Sequence, residues 1–114
     1  MRRADESAGY RHERIQGLIF EELSALVRDE LGDPAFASVR IAAVVLSVDY
    51  RAARVHFVLT SALEERHAVE RAFVRVAPFL RARLAEAIEL KRVPDLRFVF
   101  DGVARADGGS QCSE

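Results

Sequence analysis

The run Phe73-Val-Arg-Val-Ala-Pro-Phe-Leu-Arg-Ala-Arg-Leu-Ala-Glu-Ala-Ile88, followed by Leu90-Lys-Arg-Val-Pro-Asp-Leu-Arg-Phe-Val-Phe-Asp101, decides the fold. Before Pro78 the apolar residues Val69, Phe73 and Val76 recur at helical spacing, and after it Leu80, Leu84 and Ile88 do the same. Proline lacks an N–H, and its ring clashes with the carbonyl four residues back, here that of Val74. It also pushes the residue before it, Ala77, away from helical angles. The expected structure is a helix, a break at Val76-Ala77-Pro78, and a second helix with proline in its first turn. A short basic connection and a closing strand, Leu96–Phe100, follow. A helix–kink–helix before a closing strand is a nucleic-acid-binding arrangement when basic residues surround the break. Here they are Arg71, Arg75, Arg81, Arg83, Lys91 and Arg92.

Working outward, Ile15, Leu18, Ile19, Leu23, Leu26, Val27 and Leu31 form one helical stripe from about Tyr10 to Leu31, which Gly32-Asp33-Pro34 stops. Residues 1–8 are polar and read as frayed. Residues 39–48 are rich in β-branched side chains and read as a strand. Asp49-Tyr50-Arg51-Ala52 reads as a turn, and Arg54–Thr60 as the second strand of a hairpin. Ser61 and Glu64 have capping-box spacing for the next helix. The order is α-β-β-α-α-β. A helical crossover between the second and third strands favours parallel pairing. An α+β fold with a three-stranded mixed sheet and helices on one face is expected. Residues 1–103 form one domain and 104–114, rich in Gly, Ser and Asp, a disordered tail.

The chain has 114 residues, half of them hydrophobic, so one core can form without staples. One cysteine, Cys112, excludes a disulfide framework and fits a reducing, cytoplasmic compartment. No apolar run approaches the roughly 20 residues of a membrane helix, and no signal-peptide pattern follows Arg2 and Arg3. The net charge is −1, but its distribution is uneven. Residues 66–97 hold eight Lys or Arg against four acids, whereas residues 1–34 hold five against eight. Such asymmetry can present a basic face on a near-neutral protein. His12, His56 and His67 lack metal-site spacing, no glycine-rich phosphate loop occurs, and Ser110 and Cys112 have no base held beside them. An enzyme, a metal or another cofactor is therefore not expected. The arginines remain, with Arg11 and Arg14 as a secondary basic site, because the guanidinium fork pairs with phosphate bidentately and stacks on bases. Tyr50 and Phe79 are possible stacking partners for bases, Phe79 being more often a core residue.

Several short motifs in this order resemble bacterial ribosome-binding factor A over about residues 10–102. They are Arg11 and Arg14 before Ile15, Glu30-Leu-Gly-Asp-Pro34, Val44-Val-Leu-Ser-Val-Asp-Tyr-Arg51 with Ala53-Arg-Val55 and Phe57-Val58, Phe79-Leu-Arg81, and Arg92-Val-Pro-Asp-Leu96. The resemblance implies a type II KH-like fold and a cytoplasmic, monomeric factor that binds immature small (30S) ribosomal subunits and their 16S rRNA. It also implies a part in rRNA maturation and 5′-end processing, an association with growth in the cold, and release helped by an assembly GTPase. RNA-binding KH domains carry a Gly-x-x-Gly loop between two helices, and this family has an Ala-x-Gly kink there. In this chain the aligned residues are Val76-Ala77-Pro78. The alternatives are a general single-stranded nucleic-acid-binding KH-like protein and a small protein-interaction domain.

Overall fold

The computed structural model describes residues 2–32, 34–60, 66–88, 90 and 92–104. Helix α1 spans Arg2–Asp29, a 3-10 turn covers Pro34–Phe36, strands β1 and β2 span Val39–Leu46 and Ala52–Leu59, helix α2 spans Arg66–Ala87, and β3 spans Asp95–Val103. Of the apolar stripe of α1, Ile15, Ile19, Leu23, Leu26 and Val27 are buried, whereas Leu18 is 37% exposed at the edge of the stripe and Leu31, past the helix end, is half-buried. The helix starts at Arg2, before the stripe. Periodicity carries no information about residues 2–8, whose Arg, Ala and Glu favour helix by backbone propensity alone. At its other end the N–H groups of Glu30 and Leu31 both donate to the Leu26 carbonyl, at 2.9 and 3.1 Å, closing the last turn before Gly32.

The strands lie in the order β1-β2-β3, with β1 antiparallel and β3 parallel to β2. The parallel pairing is the one a helical crossover requires. β2 is central, and its alternate residues Ala53, Val55, Phe57 and Leu59 are fully buried. Helix α1 packs on β1 and α2 on β3, both against that face. Phe73 of α2 stacks on Phe98 of β3 at 4.2 Å between centroids, with Phe57 at 5.0 Å and Phe36 at 4.9 Å. The 3-10 turn, which sequence periodicity did not indicate, brings Phe36 into this cluster. Beyond β3, the N–H of Ala104 still donates to Leu59 O at 2.7 Å. The rest of the expected tail, residues 105–114, and the Ser61/Glu64 capping box lie outside the described residues.

The expected pair of helices around Val76-Ala77-Pro78 is a single one. α2 is helical from Arg66 to Ala87 with Pro78 inside it, so the order is α-β-β-α-β. Proline removes one main-chain bond, the one that would reach the Val74 carbonyl. Val74 is 73% exposed and Pro78 is on the same open side, where water can satisfy that carbonyl. Meanwhile Val69 and Phe73 on one side of the proline, and Leu80 and Leu84 on the other, are all fully buried in one core. Shared burial on both sides outweighs a local cost of about 3 kcal/mol.

Two outcomes follow for stability. Leu84→Ala removes a fully buried side chain and should lower unfolding free energy by about 2–5 kcal/mol in urea denaturation. Pro78→Ala restores the missing bond in a continuous helix and should raise the melting temperature. A lowered melting temperature would instead show that the core depends on a bend that proline imposes.

Candidate nucleic-acid interface

The β1–β2 turn is built by short side chains. Ser47 Oγ donates to Asp49 Oδ1 at 2.7 Å and accepts the N–H groups of Arg51 and Ala52 at 3.1 and 3.0 Å. Asp49 Oδ1 also accepts the Arg51 N–H at 3.1 Å. The Ser47 hydroxyl, then the Arg51 N–H, holds the Asp49 carboxyl below the usual carboxylate range. Tyr50 adopts a left-handed φ of 65°, uncommon for a residue with a Cβ, which aims its ring at His12, 5.4 Å away edge to face. His12 in turn fixes α1 to the sheet. Its Nε2 donates to Leu46 O at 2.9 Å and lies 3.2 Å from Ser47 O, while Gln16 Oε1 accepts the Leu46 N–H at 2.8 Å.

This locking opens a cleft of about 880 Å³ between the first half of α1, the hairpin turn, the C-terminal part of α2 and the segment before β3. Arg11, Arg51 and Arg92 reach it from three different elements. Ile15, Ala85 and Leu90 supply apolar walls, and Asp49 and Tyr50 complete the lining. Three guanidinium groups face one carboxylate, and that carboxylate is partly engaged, with Asp49 Oδ2 at 4.0 Å from Arg51 Nε. A concave site with surplus arginine and an apolar wall suits a phosphate with a sugar or base attached.

The expected basic set does not form one face. Arg71 and Arg75 are exposed, four residues apart, on the N-terminal half of α2. Residue 71 lies fourteen positions before Ala85, roughly 21 Å along the helix from the cleft. Glu70, beside Arg71 in sequence, pairs instead with Arg66 at 2.9 Å. Arg81 Nη2 donates to Val93 O at 3.2 Å and lies 3.8 Å from Asp95, tying α2 to the strand that follows. Arg83 makes a two-pronged ion pair with Glu30, at 2.5 and 3.2 Å, and lies 3.7 Å from Glu86. That pair joins the ends of α1 and α2 and raises the Arg83 pKa further. Arg92 and Arg11 meet at the cleft, with Arg14 exposed one turn further along α1. Lys91 lies outside the described residues. Phe79 is 41% exposed with the Arg83 guanidinium 5.6 Å from its ring centre. Arg51 was missed by sequence reasoning, which took it only as part of a turn. Its position directly after Asp49-Tyr50, at the tip of a hairpin, was the available signal.

A family profile described as "Ribosome-binding factor A" matches residues 11–108. A relative of that name from Ruthia magnifica subsp. Calyptogena magnifica is 35% identical over 99 residues, covering 87% of each chain. One from Dechloromonas aromatica is 36% identical over 91 residues, covering 80% of this chain and 73% of its own. Among solved structures, the crystal structure of ribosome-binding factor A from Thermus thermophilus superposes with a TM-score of 0.70 at 25% identity, covering 78% of this chain and 93% of that one. A homology model of the Thermus thermophilus factor, fitted into the cryo-EM map of a 30S–RbfA complex, superposes with a TM-score of 0.65 at 23% identity, covering 84% and 97%.

Charge reversal tests the helix–helix pair. Arg83→Glu should lower the melting temperature, and adding Glu30→Arg should recover much of the loss. A double variant no better than the single one would show that the pair contributes nothing. Asp49 gives a pH test. Its folded pKa is depressed, so its contribution is complete above the ordinary value of about 3.9 and is lost as pH falls through the lower folded value. Asp49→Asn should remove that part of the acid dependence of the urea midpoint.

Proposed function

This chain belongs to the ribosome-binding factor A family, and on that footing we propose that it is a non-enzymatic assembly factor that binds the small ribosomal subunit through rRNA at the arginine cleft. The observation that carries the reading is the convergence of Arg11, Arg51 and Arg92 from three elements on one concave surface. Arg11 and Arg92 have no ion pair with any described side chain. A phosphate held between such forks fixes register without reading bases. The 30S complex described for the Thermus thermophilus relative supports the same class of partner here. Arg14 and Arg71 extend the contact along the two helices, with Arg75, which already interacts within the protein, beside Arg71, and Lys91 belongs to the same connection as Arg92. Arg81 and Arg83 contribute less, because their guanidinium groups already hold protein partners.

Bound in this way, the protein holds immature rRNA in one geometry while maturation, including processing near the 5′ end, proceeds. An assembly GTPase would then act by displacing it. The binding unit is the folded part, residues 1–103, acting in the cytoplasm as a monomer.

Arg11→Gln with Arg92→Gln should weaken co-sedimentation with immature small subunits. It should flatten the plot of log affinity against log salt by roughly 1.4 to 1.8, the loss expected for two phosphate contacts. An unchanged affinity and slope would mean that the cleft is not the RNA site. Removing residues 105–114 should leave both quantities intact, and a loss on truncation would move binding out of the folded part.

A further inference from the structure

We propose that the face of the sheet turned away from both helices is a second RNA-backbone contact, in which Arg54 and Arg97 bracket one phosphate and Arg40 reaches another. The proposal rests on the preceding reading only for the ligand being RNA; the location is independent of the cleft.

The alternation of burial in β2 puts Ala53, Val55, Phe57 and Leu59 into the core and turns Arg54 and His56 to the opposite side. Arg54 is in direct register with Arg97 on β3. Both are exposed. Neighbouring strands are about 4.8 Å apart, so two like charges stand side by side, an arrangement that by itself destabilises a sheet. The neighbour of Arg54 on the other side is Val45, 39% exposed, which gives no relief. The acids that could neutralise the pair are drawn elsewhere. Asp101 Oδ1 lies 3.1 Å from His56 Nδ1, and Asp95 lies 3.8 Å from Arg81. Arg40, Arg54 and Arg97 make no side-chain ion pair or hydrogen bond among the described residues. An external anion between the two forks removes the repulsion and satisfies both.

Arg40 is in register with Val58, four residues along β2 from Arg54, so it stands roughly 13 Å further along the strand direction. Between them on the same face stands His56, held by Asp101, beside the small residues Ala43 and Val58, and none of the described outward-facing strand residues is Phe, Tyr or Trp. The only aromatic ring among these described residues is the His56 imidazole, already engaged by Asp101, so spaced guanidinium groups for backbone phosphates dominate the face. A peptide binding to a sheet characteristically adds at an edge through main-chain bonds. Here the charge is spread over the flat face of three strands. With the cleft on the helix side, the protein would touch RNA on two opposed surfaces and hold two segments relative to each other.

The test uses the full chain and purified small ribosomal subunits over a salt series. Arg54→Gln with Arg97→Gln should flatten the salt dependence by roughly 1.4 to 1.8, as two lost phosphates require, with a melting temperature unchanged or higher because the repulsion is gone. The Arg11→Gln, Arg92→Gln protein is the parallel arm. If that protein loses affinity while the sheet-face variant keeps both affinity and slope, this proposal is overturned and the cleft reading stands. If the sheet-face variant responds and the cleft variant does not, this proposal holds and the cleft reading fails. If neither responds, both are overturned. A photo-crosslinking residue, p-benzoylphenylalanine in place of Val45, gives a second measurement on the bound complex. Adducts to rRNA support the proposal, and adducts only to protein overturn it in favour of an acidic protein partner.

Discussion

Phe73 is the point from which α2 is held on the sheet. Its ring stacks nearly parallel on Phe98, with 10° between planes, and meets Phe57 and Phe36 at tilted angles. These contacts join a helix, two strands and the 3-10 turn in one cluster, and the ring itself is fully buried. Because Phe98 lies on the strand paired parallel to β2, the same contact fixes how the segment between α2 and β3 must turn back. That segment carries Arg92 to the cleft. Without α2 anchored at Phe73, neither the wall formed by Ala85 nor the position of Arg92 would be defined. Aromatic packing in the middle of the sheet thus decides the geometry of a charged site at its end.

Arginine does two different jobs in this chain. Arg66 lies over the Phe100 ring at 4.6 Å and pairs with Glu70. Arg81 and Arg83 tie α2 to the β3 segment and to the end of α1. These groups are spent on protein contacts, and such exposed pairs contribute modestly to stability. Arg11 and Arg92 in the cleft, and Arg40, Arg54 and Arg97 on the open sheet face, have no such partners among the described residues. A near-neutral net charge therefore conceals local surpluses. Their effect on a polyanion depends on where the unpaired groups stand and not on their number.

Proline inside α2 shows how a local rule yields to packing. Phe73 before Pro78 and Leu80 after it belong to the same core, and Val74, whose carbonyl loses its partner, is on the exposed side. The helix continues because ending it would expose apolar surface worth more than one hydrogen bond and a ring clash. One missing bond on the open side is compatible with a continuous hydrogen-bonded segment, so Val76-Ala77-Pro78 does not end the helix.

The sequence by itself determined the three strands, the first helix, most of the core and the sheet topology, but not the continuity of α2 through Pro78 or the 3-10 turn. Ile19, Leu23, Leu26, Phe57, Phe73 and Leu84 recur at the period of their own element, and burial follows directly from that period. The parallel β2–β3 pairing follows from the length of the helical crossover between them. The motifs around the hairpin and Arg92-Val-Pro-Asp-Leu96 carried the family resemblance. Tertiary structure alone decided which charges meet. Residues 11, 51 and 92 are far apart in the chain and no local pattern links them. Arg83 looked as available as Arg92 until the end of α1 placed Glu30 beside it. His12 and Gln16 gave no signal either, because their partners are main-chain groups of Leu46 and Ser47, distant in the sequence. Periodicity is a property of neighbours along one element, whereas a site or an ion pair is a meeting of side chains that only the packed chain brings into range.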